Sequence, residues 1–191
     1  MRHRIFIAIN LPEDVKKKLS DCQLKWPELP CRWTKKENLH ITLAFLGYLN
    51  DEELVEICKI TKEVASKYEP FFITLNKIIY GPPKNPPRMI WAEGEKSEEL
   101  GKLQKNLENA LAGLSTELEK LENEKSKGYA SHITLARLKQ WEFRQIEPEE
   151  RPEVNEEINL SFEVGSIEVM ESELKREGPE YVVLESVQLS T

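Results

Sequence analysis

His40-Ile41-Thr42-Leu43-Ala44 and His132-Ile133-Thr134-Leu135-Ala136 are the same five letters, placed about half a chain apart in a sequence of 191 residues. A leucine follows two places after each alanine, at Leu46 and Leu138. Both stretches are short and rich in strand formers, so each is read as a β-strand. Alternate residues of a strand share a face. His40 and Thr42 therefore stand on one side, as do His132 and Thr134. Ile41, Leu43, Ile133 and Leu135 turn to the other side, where they pack under helices. With a pseudo-twofold axis relating the strands, the polar faces meet across one cleft that holds two imidazoles and two hydroxyls.

Working outward from these strands, the elements repeat as well. Residues 4–9 read as a strand, and Pro12 suits the first turn of a helix that spaces Val15, Leu19, Cys22 and Trp26 along one side. Thr34 to Glu37 fits a capping box opening a short turn. Residues 39–47 form the strand of the first motif. A helix follows with Asp51 as its N-cap and Leu54, Ile57, Cys58, Thr61, Ala65 and Tyr68 on one stripe. A third strand covers 71–80, and the Gly/Pro-rich stretch 81–87 is a loop. Then the order begins again. Residues 88–92 read as a strand, 97–122 as a long helix with a leucine stripe from Leu100 to Leu121, and 129–138 as the strand of the second motif. The polar stretch 139–157, with Pro148 and Pro152, is loop with one or two helical turns. Strands over 158–170 and 181–189, with a turn at Gly178-Pro179, close the chain. Residues 1–191 thus read as one bilobal α+β domain with an internal repeat, its halves roughly 1–80 and 88–191. Each lobe is expected to be an antiparallel sheet with helices on its outer face, and the cleft lies between them.

Composition narrows the function classes. The chain holds 27 basic and 34 acidic side chains, a net charge of −7. That balance argues against a general nucleic-acid coat, which works through a basic surface, and leaves room for a small basic site. Cys22, Cys31 and Cys58 form no CxxC pair and read as reduced thiols. No apolar run is long enough for a membrane helix, and the five apolar residues 5–9 are shorter than a signal-peptide core. A cytoplasmic monomer is expected.

Two histidines and two threonines on facing strands suit one chemistry above others. Near neutral pH two imidazoles can stand as one free base and one imidazolium. The base takes a proton from an attacking water or hydroxyl, and the acid gives one to the leaving oxygen. Such help is typically worth ~10²–10⁴-fold for a positioned group. The threonine hydroxyls can donate to the non-bridging oxygens of an anion held between the rings. The matching substrate is a phosphodiester opened in line, best a cyclic one whose strain lowers the barrier, with neither metal nor other cofactor required. A single strand histidine is more often structural, and threonine is an ordinary strand former. The second copy in identical context shifts the balance, because a repeated stability feature needs only the apolar letters. Other chemistries are thinly supported. Metal sites want three or four close ligands, and each strand here supplies one. Ser131 and His132 point to opposite faces, so they make no nucleophile–base pair. No Gly-rich phosphate loop is present.

Paired HxTx motifs resemble those of the two-histidine (2H) phosphoesterase superfamily. More narrowly, the chain resembles the RNA 2',3'-cyclic phosphodiesterases, also called 2'-5' RNA ligases. The matching segments are residues 4–9, Arg32-Trp33-Thr34, residues 37–40, residues 42–47, residues 87–92 and residues 131–137. The resemblance implies the bilobal fold and metal-free hydrolysis of a 2',3'-cyclic phosphate at an RNA end to a 2'-phosphate. It implies His40 as proton donor to the leaving 3'-oxygen and His132 as the proton acceptor that activates water. The motifs themselves are alike and assign neither role. Thr42 and Thr134 would bind the phosphate. Arg137 matches an arginine the family often keeps after the second motif, with a natural role in pairing phosphate, although strict alternation from His132 puts it on the opposite face. RNA ends or small cyclic nucleotides are the expected partners. Run backward, the same site joins a cyclic phosphate to a 5'-hydroxyl, so 2'-5' ligation as the main activity is the alternative, and a non-catalytic RNA-end binding protein is the third reading. Phe6, Trp33, Tyr48, Tyr129 and Trp141 are candidates to stack a base, and Lys35, Lys36 and Lys139 to steer RNA.

Overall fold

The structure, a computed structural model, describes residues 2–83, 86–114, 131–176 and 178–190. Nine strands form it: β1 His3–Asn10, β2 Cys31–Trp33, β3 His40–Leu49, β4 Phe71–Gly81, β5 Met89–Gly94, β6 His132–Leu138, β7 Asn155–Val164, β8 Ser166–Lys175 and β9 Gly178–Gln188. The helices are α1 Glu13–Gln23, α2 Asp51–Ala65, α3 Glu98–Leu111 and α4 Gln140–Gln145, with 3₁₀ turns at Lys36–Asn38 and Pro148–Glu150. The strands run in the order β7-β4-β5-β6-β3-β1-β8-β9, and β2 pairs with β6. All pairings are antiparallel.

The joint in this sheet decides where the motifs meet. β3 and β6 pair only through Ile41 and Ile133, then part. On one side of that joint lie β3, β1, β8 and β9; on the other lie β6, β5, β4 and β7. The boundary between residues 1–80 and 88–191 divides the order of elements along the chain but not the sheet. β4 joins the strands of the second half, and β8 and β9 return to those of the first. The helices cross over too, with α1 packing on β6 and α3 on β3. A single apolar core beneath the sheet follows, in which Ile41, Leu43, Ile133 and Leu135 are all buried together with Leu100, Leu103, Leu107 and Leu111 of α3.

Several boundaries differ from the sequence reading. The N-cap of α2 is Asn50, whose side chain accepts from the backbone N–H groups of Glu52 and Glu53 at 2.9 Å. The Glu53 carboxylate accepts from the Asn50 N–H at 2.7 Å, completing a capping box one residue earlier than expected. Such a cap is worth about 1 kcal/mol. Thr34 opens no capping box, because its hydroxyl donates instead to the Thr134 carbonyl at 2.9 Å. The strand expected over 158–170 is two strands parted at Gly165. The long helix expected over 97–122 stops at Leu111, where Ala112 leaves helical geometry and Gly113 takes a φ of 84°; residues 115–122, and the start of the second motif strand at 129–130, lie outside the described residues.

The third histidine has a structural task. His3 sits between Glu171 of β8, at 2.8 Å from Nδ1, and Asp51 of α2, at 2.9 Å from Nε2. Hydrogen bonds that its ring N–H groups donate to these carboxylates, Glu171 first, raise its pKa above the ordinary 6.5. Its contribution is therefore full below that value and is lost as pH rises through the raised one. His3→Gln should lower the melting temperature more at pH 5.5 than at pH 8.5. An equal loss at both would show that the pair of carboxylates does not act through the charge.

Candidate active site

The Ile41–Ile133 register sets His40 across from Thr134 and Thr42 across from His132, all on one face of the sheet. The four motif residues are thus brought together as the repeat implies, each partly buried. They sit where the two strand groups begin to part, so the face is bounded on both sides by diverging strands.

The surroundings of the two rings differ. Nδ1–H of His40 donates to the Asn38 carbonyl at 2.7 Å, so in the neutral ring Nε2 carries the lone pair, 3.0 Å from the Thr42 hydroxyl. The Asn38 amide in turn donates to the Pro179 carbonyl at 2.8 Å, tying the turn before the motif to the start of β9. Phe6 and Tyr181 lie against the His40 ring at 5.1 and 5.2 Å between centroids. Burial, reinforced by Lys16, His132 and Arg137, lowers the pKa of His40, which the Asn38 hydrogen bond only partly offsets. His40 is therefore neutral at pH 7 when the site is empty. His132 instead lies flat on Trp91, with centroids 3.8 Å apart and planes 19° from parallel. The other side of the indole packs on Gly81, where an added Cβ would run into the ring. Gly81 is thus required by close approach.

Strict alternation fails in both motif strands at the same letter. Ile7 pairs with Ala44 but Ala8 with Thr42, and Ile90 pairs with Ala136 but Trp91 with Thr134. Leu43 and Leu135 are each the extra residue of a β-bulge, which shifts the side chains that follow to the other face, and in β3 a second bulge at Leu46 shifts them once more. The bulges are held from opposite sides of the repeat. The Gln104 amide of α3 donates to the Leu43 carbonyl, and the Gln23 amide of α1 to the Leu135 carbonyl, both at 3.4 Å. The Thr34 N–H donates to the Leu135 carbonyl at 2.8 Å as well. The bulge at Leu135 brings Arg137 onto the face of His132 and Thr134, where it is exposed beside Met89. At the equivalent place in β3 stands Phe45, 44% exposed on the face of His40. Phe6 touches both, at 5.8 Å from Phe45. Phe6, Phe45, Tyr48, Arg4, Ser172 and Leu174 border a cavity of about 320 Å³ beside the His40 strand.

The other sequence candidates divide. Tyr48 is exposed at that cavity, and Phe6 is buried as its floor. Trp33 turns to the opposite face and stacks on Trp26 at 6.5 Å. Trp141 is exposed on α4, just beyond the end of the second motif strand. Tyr129 lies outside the described residues. Lys36 and Lys139 pair with Glu13 and Glu142, and Lys35 is exposed. Residues that sequence reasoning missed as site members are Phe45, Tyr181, Trp91 and Asn38. The Asn38 signal was its place two residues before His40; Tyr181 carried none. Among the described residues no group of three His, Cys, Asp or Glu side chains could hold a metal ion, and no helix is long and apolar enough to cross a membrane.

Comparison with known proteins agrees with this fold. Residues 9–91, which include the first motif, match the profile of the LigT-like phosphoesterases. The RNA 2',3'-cyclic phosphodiesterase of Thermotoga maritima is 30% identical over 188 residues, covering 95% of this chain and 92% of that one. Its Thermus thermophilus counterpart is 31% identical, covering 97% and 90%. A solved Thermus thermophilus protein superposes with a TM-score of 0.81 at 31% identity, covering 97% of each chain. Escherichia coli LigT, solved with 3'-AMP, shares the fold at a TM-score of 0.76 and 22% identity over the whole of both chains.

Proposed function

Because the chain belongs to the LigT-like phosphoesterases, enzymes of the two-histidine superfamily, we propose that it hydrolyses a 2',3'-cyclic phosphate at an RNA end to a 2'-phosphate, with His40 as proton donor and His132 as proton acceptor. One observation supports the reading most. The Ile41–Ile133 register gathers both imidazoles and both threonine hydroxyls on one face. The cyclic phosphate lies between the rings. Thr42 and Thr134 donate to its non-bridging oxygens, and Arg137 adds a positive charge on the same face. His132, held against Trp91, takes a proton from water as the water attacks phosphorus. His40 delivers a proton to the 3'-oxygen as the P–O3' bond breaks. The ribose then carries the phosphorus as a 2'-phosphate that has gained the water oxygen, and the protons balance across the pair.

The electrostatics of His40 add a condition. An acid must be protonated, yet burial keeps this ring neutral in the empty site. A bound phosphodiester anion reverses that preference by placing a negative charge beside it. His40 therefore takes up its proton together with substrate. Phe45 and Tyr48 offer exposed ring faces on the same side for the base of the terminal nucleotide.

The test is direct. The protein, in EDTA, is incubated with an RNA oligonucleotide ending in a 2',3'-cyclic phosphate, and the product is read by phosphorus NMR. A 2'-phosphate is the expected product. A 3'-phosphate would reverse the leaving group, and no product from folded protein would sink the proposal. Activity lost to EDTA and restored by a divalent metal would sink the two-histidine mechanism. Adding an RNA with a free 5'-hydroxyl tests the reverse reaction; a 2'-5' linked product that outpaces hydrolysis would make ligation the main activity.

A further inference from the structure

β2, the three-residue strand absent from the sequence reading, occupies the space that β3 vacates when it parts from β6. Its register sets Arg32 directly across from Arg137. Residues opposed in an antiparallel pair point to the same side of the sheet. Arg32 therefore shares the face of Arg137, and so the face of His132 and Thr134. The neighbours of Arg32 agree with this direction. Cys31 and Trp33 pair with the buried Leu138 and Ala136 and pack against the core, while Arg32 is exposed.

Two like charges directly opposed across a strand pair are unfavourable. Nothing offsets that repulsion here, since neither Arg32 nor Arg137 forms an ion pair among the described residues. The contrast is with a chain whose net charge is −7. The charge of Arg137 is felt at His40 and at Tyr181, so the pair is continuous with the reacting centre. The one carboxylate that the β5–β6 register sets on this face, Glu93 across from His132, is paired with Lys77, and two guanidinium forks without a carboxylate partner are arranged to receive an anion.

We propose that Arg32, beside Arg137, forms a binding site for a non-reacting backbone phosphate of the RNA, the one 5' to the terminal nucleotide. The inference rests on the reading of RNA ends as substrate. Arg137 lies five residues beyond His132 and serves the reacting phosphate; Arg32 is carried on a separate strand and extends the positive face outward. The substrate class this selects is an oligonucleotide rather than a cyclic mononucleotide, because only the former has a second phosphate.

Binding tests it without turnover. The probe is a fluorescent RNA oligonucleotide ending in a 2'-phosphate, and its dissociation constant is followed by anisotropy over a range of salt. Each phosphate contact on a single strand contributes about 0.7 to the slope of log K against log salt. Arg32→Ala should weaken binding about tenfold or more at low salt and make the slope shallower by about 0.7. Arg32→Lys keeps the charge and should keep the slope. On the cyclic-phosphate substrates, Arg32→Ala should raise KM for the oligonucleotide by a larger factor than for the cyclic mononucleotide. An unchanged slope in Arg32→Ala overturns the proposal, as does an equal loss of slope in Arg32→Lys, which would make the effect structural. Absence of hydrolysis by the wild type would count against the proposed reaction alone, because the binding slope is read independently of it.

Discussion

Alanine at His40 or at His132 is expected to lower kcat on an RNA 2',3'-cyclic phosphate by about 10²–10⁴-fold each. The double variant should lose much less than the product of the two, since acid and base act on one transition state. The variants part company on a diester whose leaving group is nitrophenolate, which departs without a proton. His40→Ala should recover most of its activity there, and His132→Ala should not. The opposite pattern would exchange the two roles. The pH dependence carries the same assignment. kcat/KM reports the free enzyme, in which the His40 pKa lies below the ordinary 6.5. As the acid, His40 must be protonated, so kcat/KM should already be falling as pH rises past that value. In kcat the substrate anion holds the proton on, and the falling limb should move to higher pH. A kcat/KM that climbs through this range to a plateau would mean that His40 is the base.

The largest effect expected outside the motifs comes from the Gly81–Trp91–His132 stack. The indole is confined between the Gly81 backbone, with no room for a Cβ, and an imidazole 3.8 Å away. Gly81→Ala must push the ring toward His132 or force the β4–β5 pair apart. Such overpacking costs about 1–3 kcal/mol. Trp91→Ala leaves the ring of His132 without its support and a cavity behind it, at about 3–5 kcal/mol. Both variants should melt at lower temperature and lose kcat more than KM worsens. Trp91→Leu in the Gly81→Ala background should restore part of the melting temperature, by making room, without restoring kcat. Gly81→Ala with wild-type stability and kcat would show that the stack does not position His132. The Trp91 N–H has no hydrogen-bond partner among the described residues, so the loss is one of packing and ring contact.

Much of this site was legible as letters. The repeated His-Ile-Thr-Leu-Ala gave the strands, the shared face of each His and Thr, and the burial of Ile41, Leu43, Ile133 and Leu135, because a two-residue alternation is a local property of extended backbone. The stripes of α2 and α3 were legible for the same reason at helical spacing. The face of Arg137 was not. Alternation from His132 points it the wrong way, and only the bulge at Leu135, held by Thr34 and Gln23, turns it round. A bulge is a mismatch between two strands, so it has no signature in one of them. β2 was missed because three residues carry too little pattern, and Tyr181 because its approach to His40 depends on β9 returning to the first strand group.

The sequence by itself determined which residues share the polar face of each motif and that two equivalent strands supply them, since side-chain direction within a strand follows from chain chemistry alone. The tertiary structure decided how the equivalence is broken. His40 lies among Phe6, Tyr181 and the Asn38 carbonyl, His132 lies on Trp91, and Arg32 stands beside Arg137. Most of these contacts join segments far apart along the chain, and their register is set by the packing of a whole sheet around one core rather than by any local run of residues.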